Sequence, residues 1–558
     1  MTDTGLTQDG RAQRRVTLIT GASGGIGADL ARVFARHGHD LALVARSHAK
    51  LEALADEIAA SGRPWPLLLV FDLIERGAAT QIAAALDAAG ATPEILVNNA
   101  GFGLAGEAAG LDPAEQLAIV DLNIRAVVEI TLCFLPAIRA AHGKILNVAS
   151  IAAYFPGGPG MAAYYASKSF VLSFSLALSQ ELHSQGVTVS ALCPGYTKTG
   201  FQARAGIGAN TDLGRLPSPT AMEVAEAGYA GLIAGRREIV PGSLNKLSIS
   251  LLPFLPKALI LAVISRLQQN RAVGRRVRRE RERMGETGPT QDGRETRRVS
   301  VITGASGGIG AGLARVFARH GHDLALVDCS RAKLEALADE IAASGRPRPL
   351  VLVFDLIEHG AVTRIAAALE AAAASPEILV NNAGFGLVGE AVDLDPAEQL
   401  AIVDLNIRVV VEITLCFLPS IRAARGKILN VASISAYFPG GPGMAAYYAS
   451  KSFVLSFSLA LSQELHSQGV TVSALCPGLT KTSFQARAGF GPNIGLARLP
   501  TSTATEVAEA GYAGLIAGRR EIVPGFLNKL GILLLASLPK ATILAVISRL
   551  QQNRAPHR

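Results

Sequence analysis

The chain repeats itself. "TGASGGIG" stands at residues 20–27 and 303–310, "NNAGFG" at 98–103 and 381–386, and "YYASKSFVLSF" at 164–174 and 447–457. Each pair is separated by the same 283 positions, so the copies align without insertion or deletion along nearly their whole length. Between Gly143 and Gly195 the only difference from the second copy is Ala152/Ser435. A period this long describes two complete domains in tandem rather than a solenoid of short repeats. The 558 residues also exceed what one hydrophobic core organises. The expected units are 1–270 and 299–558, joined by the segment 271–298. Met284 aligns with Met1, as a duplicated gene joined by readthrough would leave it.

The joining segment contains "RAVGRRVRRERER" at 271–283, the source of much of the net charge of +8. No aromatic residues interleave with these arginines and no recognised nucleic-acid motif accompanies them, so a solvated linker is expected and no nucleic-acid partner. The opening "MTDTGLTQDGRAQRR" is polar and lacks an apolar stretch, so no signal peptide is expected. Cys133, Cys193, Cys329, Cys416 and Cys476 lie in apolar runs without paired spacing. They are expected to be reduced core residues of a cytoplasmic protein, with no disulfide framework and no metal site.

Within one copy, "RVTLIT" feeds a glycine-rich turn and then "ADLARVFARHG", whose apolar residues recur at helical spacing. "DLALVA", "PLLLVFD", "EILVNNAG", "GKILNVAS" and "VTVSALCPG" are further short, almost continuous apolar runs. Such runs suit strands buried on both faces of a parallel sheet. Helical stretches alternate with them, so the class is α/β, doubly wound, once per copy.

The turn after the first strand carries Gly21, Gly25 and Gly27, and glycine there lets backbone approach a pyrophosphate. Tyr164 and Lys168 are four residues apart, so on a helix they project from one face. An ammonium beside a phenol favours the phenolate, which suits the tyrosine to general acid–base work. Ser150 ends the strand "GKILNVAS", at the kind of position where open α/β sheets gather ligands.

Together these residues resemble the short-chain dehydrogenases/reductases. The resemblance rests on Gly21-x-x-x-Gly25-Ile26-Gly27, "NNAG" at 98–101, Asn123, Ser150, Tyr164-x-x-x-Lys168 and "PG" at 194–195, and it spans each copy almost entirely. It implies one Rossmann domain per copy and hydride transfer between a nicotinamide cofactor and a carbonyl/alcohol pair. By that resemblance Tyr164 exchanges the proton, and Lys168 lowers its pKa and binds the nicotinamide ribose. Ser150 orients the substrate oxygen, and Asn123 holds a water that relays protons from Lys168. Asn406, Ser433, Tyr447 and Lys451 match them in the second copy.

For cofactor binding the resemblance implies Gly21, Ser23, Gly25, Ile26 and Gly27 in the turn, then Ala100 and Gly101. Asn98 is similar to an asparagine that braces the sheet beside the cofactor, and Asp72 to a carboxylate that meets adenine. Pro194 and Gly195 follow, with Thr199 similar to a threonine that contacts the carboxamide. The second copy supplies Gly304, Ser306, Gly308, Ile309, Gly310, Asp355, Asn381, Ala383, Gly384, Pro477, Gly478 and Thr482. One departure from the family pattern is the extra glycine of "PGGPG", which lengthens the Ser-to-Tyr interval.

The charge differs between the copies where, by the resemblance, the adenosine ribose would sit. "LALVARSHAK" at 41–50 becomes "LALVDCSRAK" at 324–333. Arg46 favours a ribose 2′-phosphate and Asp328 repels it while accepting from free hydroxyls. The first site is therefore expected to take NADP(H) and the second to favour NAD(H); drift at an exposed turn is the bland alternative, and Arg331 in place of His48 a complication.

Further differences gather in "YTKTGFQARAGIGANTDLG" (196–214), a lid in the family, and they make the second pocket more apolar. Neither lid holds a cluster of charges, so a neutral ketone, aldehyde or secondary alcohol is expected. The tails 244–267 and 527–550 are strongly apolar, but Lys257 and Lys540 interrupt them, and neither makes a clean membrane span. An interfacial membrane contact and burial against the partner domain both remain open. An intramolecular pseudo-dimer or a further homo-oligomer is expected from the family. A scaffold or redox sensor with one silent copy would show a damaged tetrad, and neither tetrad is damaged. A membrane-associated lipid or steroid reductase is the remaining alternative.

Overall fold

The computed structural model describes residues 14–207, 218–269, 296–489, 501–535 and 538–552. The basic run 271–283, the lid residue Thr211 with its second-copy counterpart Ile494, and Phe490, the counterpart of Ile207, lie outside the described residues.

In the first copy the apolar runs become β1 (Arg14–Thr20), β2 (Leu41–Ala45), β3 (Leu67–Val70), β4 (Ala91–Asn98), β5 (Lys144–Val148), β6 (Thr188–Leu192) and β7 (Glu238–Ile239). All pair in parallel, in the order β3-β2-β1-β4-β5-β6-β7. The chain starts mid-sheet, builds outward to β3, then returns to lay β4 on the other side of β1. That reversal leaves a crevice at the carboxyl ends of β1 and β4, where open α/β sheets bind ligands. The glycine turn leaves β1 and "NNAG" leaves β4, so two distant motifs meet there.

The second copy repeats this with β8 (Arg297–Thr303), β9 (Leu324–Asp328), β10 (Leu350–Val353), β11 (Ala374–Asn381), β12 (Lys427–Val431) and β13 (Thr471–Leu475). A two-residue pair, β14 (Thr480–Lys481) with β15 (Ser502–Thr503), follows, and β16 (Glu521–Ile522) closes the sheet in the order β10-β9-β8-β11-β12-β13-β16.

One face of each sheet has a private core, built on Leu30 and Phe34 in the first copy and on Leu313 and Phe317 in the second. The other faces share a single core that runs from copy to copy. Its centre is the long helix Ala162–Leu182 lying against Ala445–Leu465, with Phe170, Phe174, Phe453 and Phe457 fully buried.

The extra glycine of "PGGPG" has its reason here. A Cβ on Gly157 would stand 2.9 Å from the Ala460 amide nitrogen and 2.9 Å from the Ser456 carbonyl oxygen of the other copy. Gly440 meets Ala177 and Ser173 in the same way. Neither contact is with a side chain that can turn aside, so a methyl must push the two copies apart. Replacing both glycines by alanine is expected to cost about 1–3 kcal/mol at each site. Thermal denaturation checks this, and an unchanged Tm would reject the packing.

The tails pack as two helices per copy, Ser243–Leu251 and Lys257–Gln269 in the first, Phe526–Leu535 and Lys540–Gln552 in the second. Their lysines cross the interface: Lys257 Nζ lies 2.6 Å from Glu521 Oε2, and Lys540 Nζ 2.6 Å from Glu238 Oε2. Leu261 and Leu544 join the shared core. Phe254 and Phe526 are nonetheless 82% and 76% exposed. No helix among the described residues is long and apolar enough to cross a membrane. The cysteines correct the sequence reading in part: Cys193 and Cys476 are buried, but Cys133, Cys329 and Cys416 are on the surface. An apolar run on a helix still has an outer face, and those three lie on helix or turn surfaces. None is in a disulfide.

Candidate active site

The helix Gly25–Arg36 begins with no side-chain cap, so its first amide groups face the crevice unpaired by any side chain. Such a terminus suits a phosphate. Gly21 has φ +66°, and a Cβ on Gly27 would sit 2.3 Å from both Asn99 Nδ2 and the Gly21 carbonyl oxygen. Gly24 points into open space, with nothing within 4 Å of a Cβ there. The residues present therefore fit a dinucleotide: a cradle without side chains, an uncapped helix start and flanking polar groups.

A cleft of about 960 Å³ runs from this cradle past Tyr164 to the tail helices, and its counterpart in the second copy encloses about 690 Å³. Gly21, Ser23, Gly25, Ile26, Arg46, Asp72, Ala100, Gly101, Ser150, Tyr164, Lys168, Pro194, Gly195 and Thr199 all line the first. Gly304, Ser306, Gly308, Ile309, Asp328, Asp355, Ala383, Gly384, Ser433, Tyr447, Lys451, Pro477, Gly478 and Thr482 line the second. Gly27 and Gly310 stand behind the turn, where they permit close packing.

Asn98 and Asn381 point away from the cleft. Asn98 Nδ2 donates to Thr131 Oγ1 and Asn147 Oδ1 at 2.9 Å each, tying β4 to β5 and to the helix beneath. The next residue faces the cleft instead: Asn99 Nδ2 donates to the Thr20 carbonyl at 2.9 Å and the Gly21 carbonyl at 3.2 Å. Sequence reasoning passed over Asn99, though the alternation of side chains along a strand was the signal that separates the pair.

Asn123 lies in a π-helical turn, Asp121–Arg125, fully buried. Its Oδ1 accepts from Phe102 N–H at 3.0 Å, and its Nδ2 donates to the Phe102 carbonyl at 2.9 Å and to Ser167 Oγ at 3.0 Å. The asparagine thus pins the loop after β4 against the helix that carries Tyr164. Asn406 does the same to Phe385 and Ser450. A π-turn of this kind is a frequent mark of functional sites.

Ser150 and Tyr164 face the same cleft, and the Ser150 hydroxyl donates to the Pro194 carbonyl at 3.4 Å. Lys168 Nζ donates to the Val148 carbonyl at 2.8 Å and lies 5.8 Å from the Tyr164 ring centre. Burial pushes the Tyr164 hydroxyl up to about 12, against the pull of Ser150, and pushes Lys168 down to about 8. The sequence reading expected the lysine to bring the phenol down. In this geometry burial dominates, because the ammonium is spent on a carbonyl rather than the phenol oxygen. Tyr447 and Lys451 behave identically, near 12 and 8.

The two clefts differ at the rim where β2 and β9 end. Arg46 Nη1 lies 3.5 Å from Asp72 Oδ2, half exposed at the rim. In the second copy Asp328 Oδ2 accepts from the Ser306 N–H of the glycine turn at 3.3 Å, and Oδ1 from Ser330 N–H at 3.2 Å. Arg331 pairs with Glu335 along its own helix at 3.7 Å and does not line the cleft. Thr199 Oγ1 accepts from Phe201 N–H at 3.2 Å and caps the lid helix Gly200–Arg204, which sets Phe201 against Tyr164 at 5.2 Å between ring centres.

A doubly wound nucleotide-binding fold with a serine, tyrosine and lysine converging on its crevice is that of a Rossmann-type oxidoreductase. The short chain dehydrogenase family model matches residues 15–208 and again 298–490. The chain is 36% identical to oxidoreductase UcpA of Salmonella typhimurium over 191 residues, 34% of this chain and 72% of that protein. It is 36% identical to serine 3-dehydrogenase of Agrobacterium fabrum over 190 residues, 33% of this chain and 72% of that one. Among solved structures, a short-chain dehydrogenase from Sphingobium yanoikuyae in complex with NADPH is 29% identical, with a TM-score of 0.38 over 44% of this chain and 97% of that one. The chain belongs to the short-chain dehydrogenase/reductase family, and carries the family's domain twice.

Proposed function

We propose that the chain is a double-headed oxidoreductase interconverting a carbonyl and a secondary alcohol at two complete sites. The observation that carries this is the pair of matched constellations, Ser150–Tyr164–Lys168 and Ser433–Tyr447–Lys451, each beside a glycine cradle in its own cleft. A nicotinamide cofactor bound in that cradle supplies or accepts the hydride. The Tyr164 hydroxyl exchanges the proton with the substrate oxygen, which Ser150 holds in place. Lys168 binds the nicotinamide ribose, and Asn123 holds a water that passes protons from it. Oδ1 of Asn123 and Nζ of Lys168 both border Gly101, 2.9 Å and 3.5 Å from the position of a Cβ there, which supports the relay.

The first site takes NADP(H), with Arg46 at the rim to meet a 2′-phosphate, and the second favours NAD(H). Asp328, already bonded to the glycine turn, supports the second assignment, and Arg331, held by Glu335, does not oppose it. The working units are 1–270 and 299–558 around the basic segment 271–298. The protein works in the cytoplasm on a neutral small molecule, as the pseudo-dimer or a further homo-oligomer. The exposed Phe254 and Phe526 support peripheral contact with a membrane.

The test is nicotinamide absorbance at both reduced cofactors over a panel of ketones and aldehydes. Turnover with at least one carbonyl is expected; binding of cofactor without turnover of any would favour a sensor. Flotation with anionic vesicles is expected to weaken when Phe254 and Phe526 are both changed to Ser, since each buried aromatic contributes to interfacial binding.

A further inference from the structure

Each copy reaches across the interface with one buried carboxylate. Glu464 lies in the last turn of Ala445–Leu465 and is 6% exposed. Its Oε1 accepts from the Gly160 N–H of the first copy at 2.6 Å, and its Oε2 from the Ala108 N–H at 2.8 Å. The Gly160 carbonyl in turn accepts from Gly106 N–H at 2.8 Å, and Ala105 N–H donates to the Ala205 carbonyl beside the lid helix at 2.8 Å. One carboxylate therefore gathers the loop that leads into the Tyr164 helix, the segment 105–110 and, through it, the lid. The loop and the lid line the first cleft through Phe155, Met161 and Phe201, and Ala105 packs behind them against Met161 and Ala205.

Glu181 repeats the arrangement in the opposite direction. Its Oε1 accepts from Gly443 N–H at 2.5 Å and its Oε2 from Ala391 N–H at 2.9 Å. Gly389 N–H donates to the Gly443 carbonyl at 2.9 Å, and Val388 N–H to the Ala488 carbonyl at 2.8 Å. The reciprocity follows from the long helices. Ala162–Leu182 carries Tyr164 in its first turn and Glu181 in its last, about 26 Å further on. Ala445–Leu465 carries Tyr447 and Glu464 in the same places. Each helix thus places the acid–base tyrosine of its own site at one end and an anchor of the other site at its far end.

Two converging N–H groups call for two acceptor oxygens, which a carboxylate has and a carboxamide lacks. Burying a carboxylate is costly unless its oxygens are satisfied, so simple adhesion between copies would be better served by apolar residues. We propose that Glu464 is a positioning residue for the first site and Glu181 for the second, so that neither site is complete without the copy it does not belong to. The proposal rests on the oxidoreductase reading above.

The test is crossed. With Tyr447→Phe leaving only the first site, adding Glu464→Gln is expected to lower kcat/KM for the carbonyl by about 10- to 100-fold, the range that small misplacements of a reacting geometry produce. With Tyr164→Phe leaving only the second site, the same Glu464→Gln is expected to leave kcat/KM within about 2-fold, although the glutamate belongs to that copy's own chain segment. Glu464→Asp keeps the charge, serves if the amide variant folds poorly, and should show the same crossed pattern. Equal losses at both sites, or no loss at the first, would overturn the proposal. Amide hydrogen exchange gives a reading independent of turnover: protection should fall in 105–110 and 155–161 and hold in 388–393 and 438–444. Absence of all turnover would fault the oxidoreductase reading, while this exchange pattern would still decide whether the anchor is crossed.

Discussion

The chain carrying both Tyr164→Phe and Tyr447→Phe is expected to lose about 10²–10⁴-fold in kcat, the contribution of a positioned general acid–base. Phenylalanine keeps the ring that packs on Phe201 in one site and on Phe484 in the other, so the walls of both clefts stay in place. What it removes is the one hydroxyl that meets Ser150, or Ser433, at the reacting position. The lost partner is a serine that also accepts from a backbone N–H two residues on, so no buried group is left bare. Thermal stability should therefore change little while turnover disappears. Each single variant should retain the rate of the surviving site, and the two residual rates should sum to that of the parent. A double variant that still turns over carbonyl at the parental rate would place the proton transfer elsewhere.

The second large effect concerns cofactor choice. In a Tyr164→Phe chain, where only the second site works, Asp328→Ala with Cys329→Arg recreates the rim of the first site. Setting a 2′-phosphate against the Asp328 carboxylate costs several kcal/mol, so its removal should raise kcat/KM for NADPH relative to NADH by about 100-fold. In a Tyr447→Phe chain, Ala45→Asp with Arg46→Cys should move the first site in the other direction. The second copy is the more informative of the two, because Asp328 also accepts from Ser306 N–H and its loss frees a donor on the glycine turn. That donor then faces the phosphate side of the cleft. Equal preference at both unmodified sites would mean that the charge difference is drift.

Much of the site was legible because its signals are local. Gly21 and Gly25 are demanded by the positive φ of a tight turn, +66° and +56°, and Tyr164 and Lys168 are brought together by one turn of helix. Asn98 and Asn99 show the limit of such reading. They are adjacent in a motif, and only the pleat of β4 decides that Asn98 braces Asn147 and Thr131 while Asn99 holds the glycine turn. The pKa of Tyr164 shows another: spacing brings lysine near phenol, but burial and the Val148 carbonyl decide what the lysine does.

By itself the amino-acid sequence determined the duplication, the doubly wound class, the Tyr-x-x-x-Lys pair of each copy and the exchange of Ala45-Arg46 for Asp328-Cys329. Each depends on periodicity, turn chemistry or letter-by-letter comparison within a short window. Only the tertiary structure decided how the copies meet. It turned Lys257 and Lys540 from interruptions of an apolar tail into ion pairs with Glu521 and Glu238. It explained the extra glycine of "PGGPG" as a place where a loop of one copy lies against the helix backbone of the other. It also gave Glu181 and Glu464, unremarkable near the end of a helix, the loops of the opposite site. Those partners are 210 to 356 residues apart along the chain, and no local pattern encodes which surface two docked domains will share.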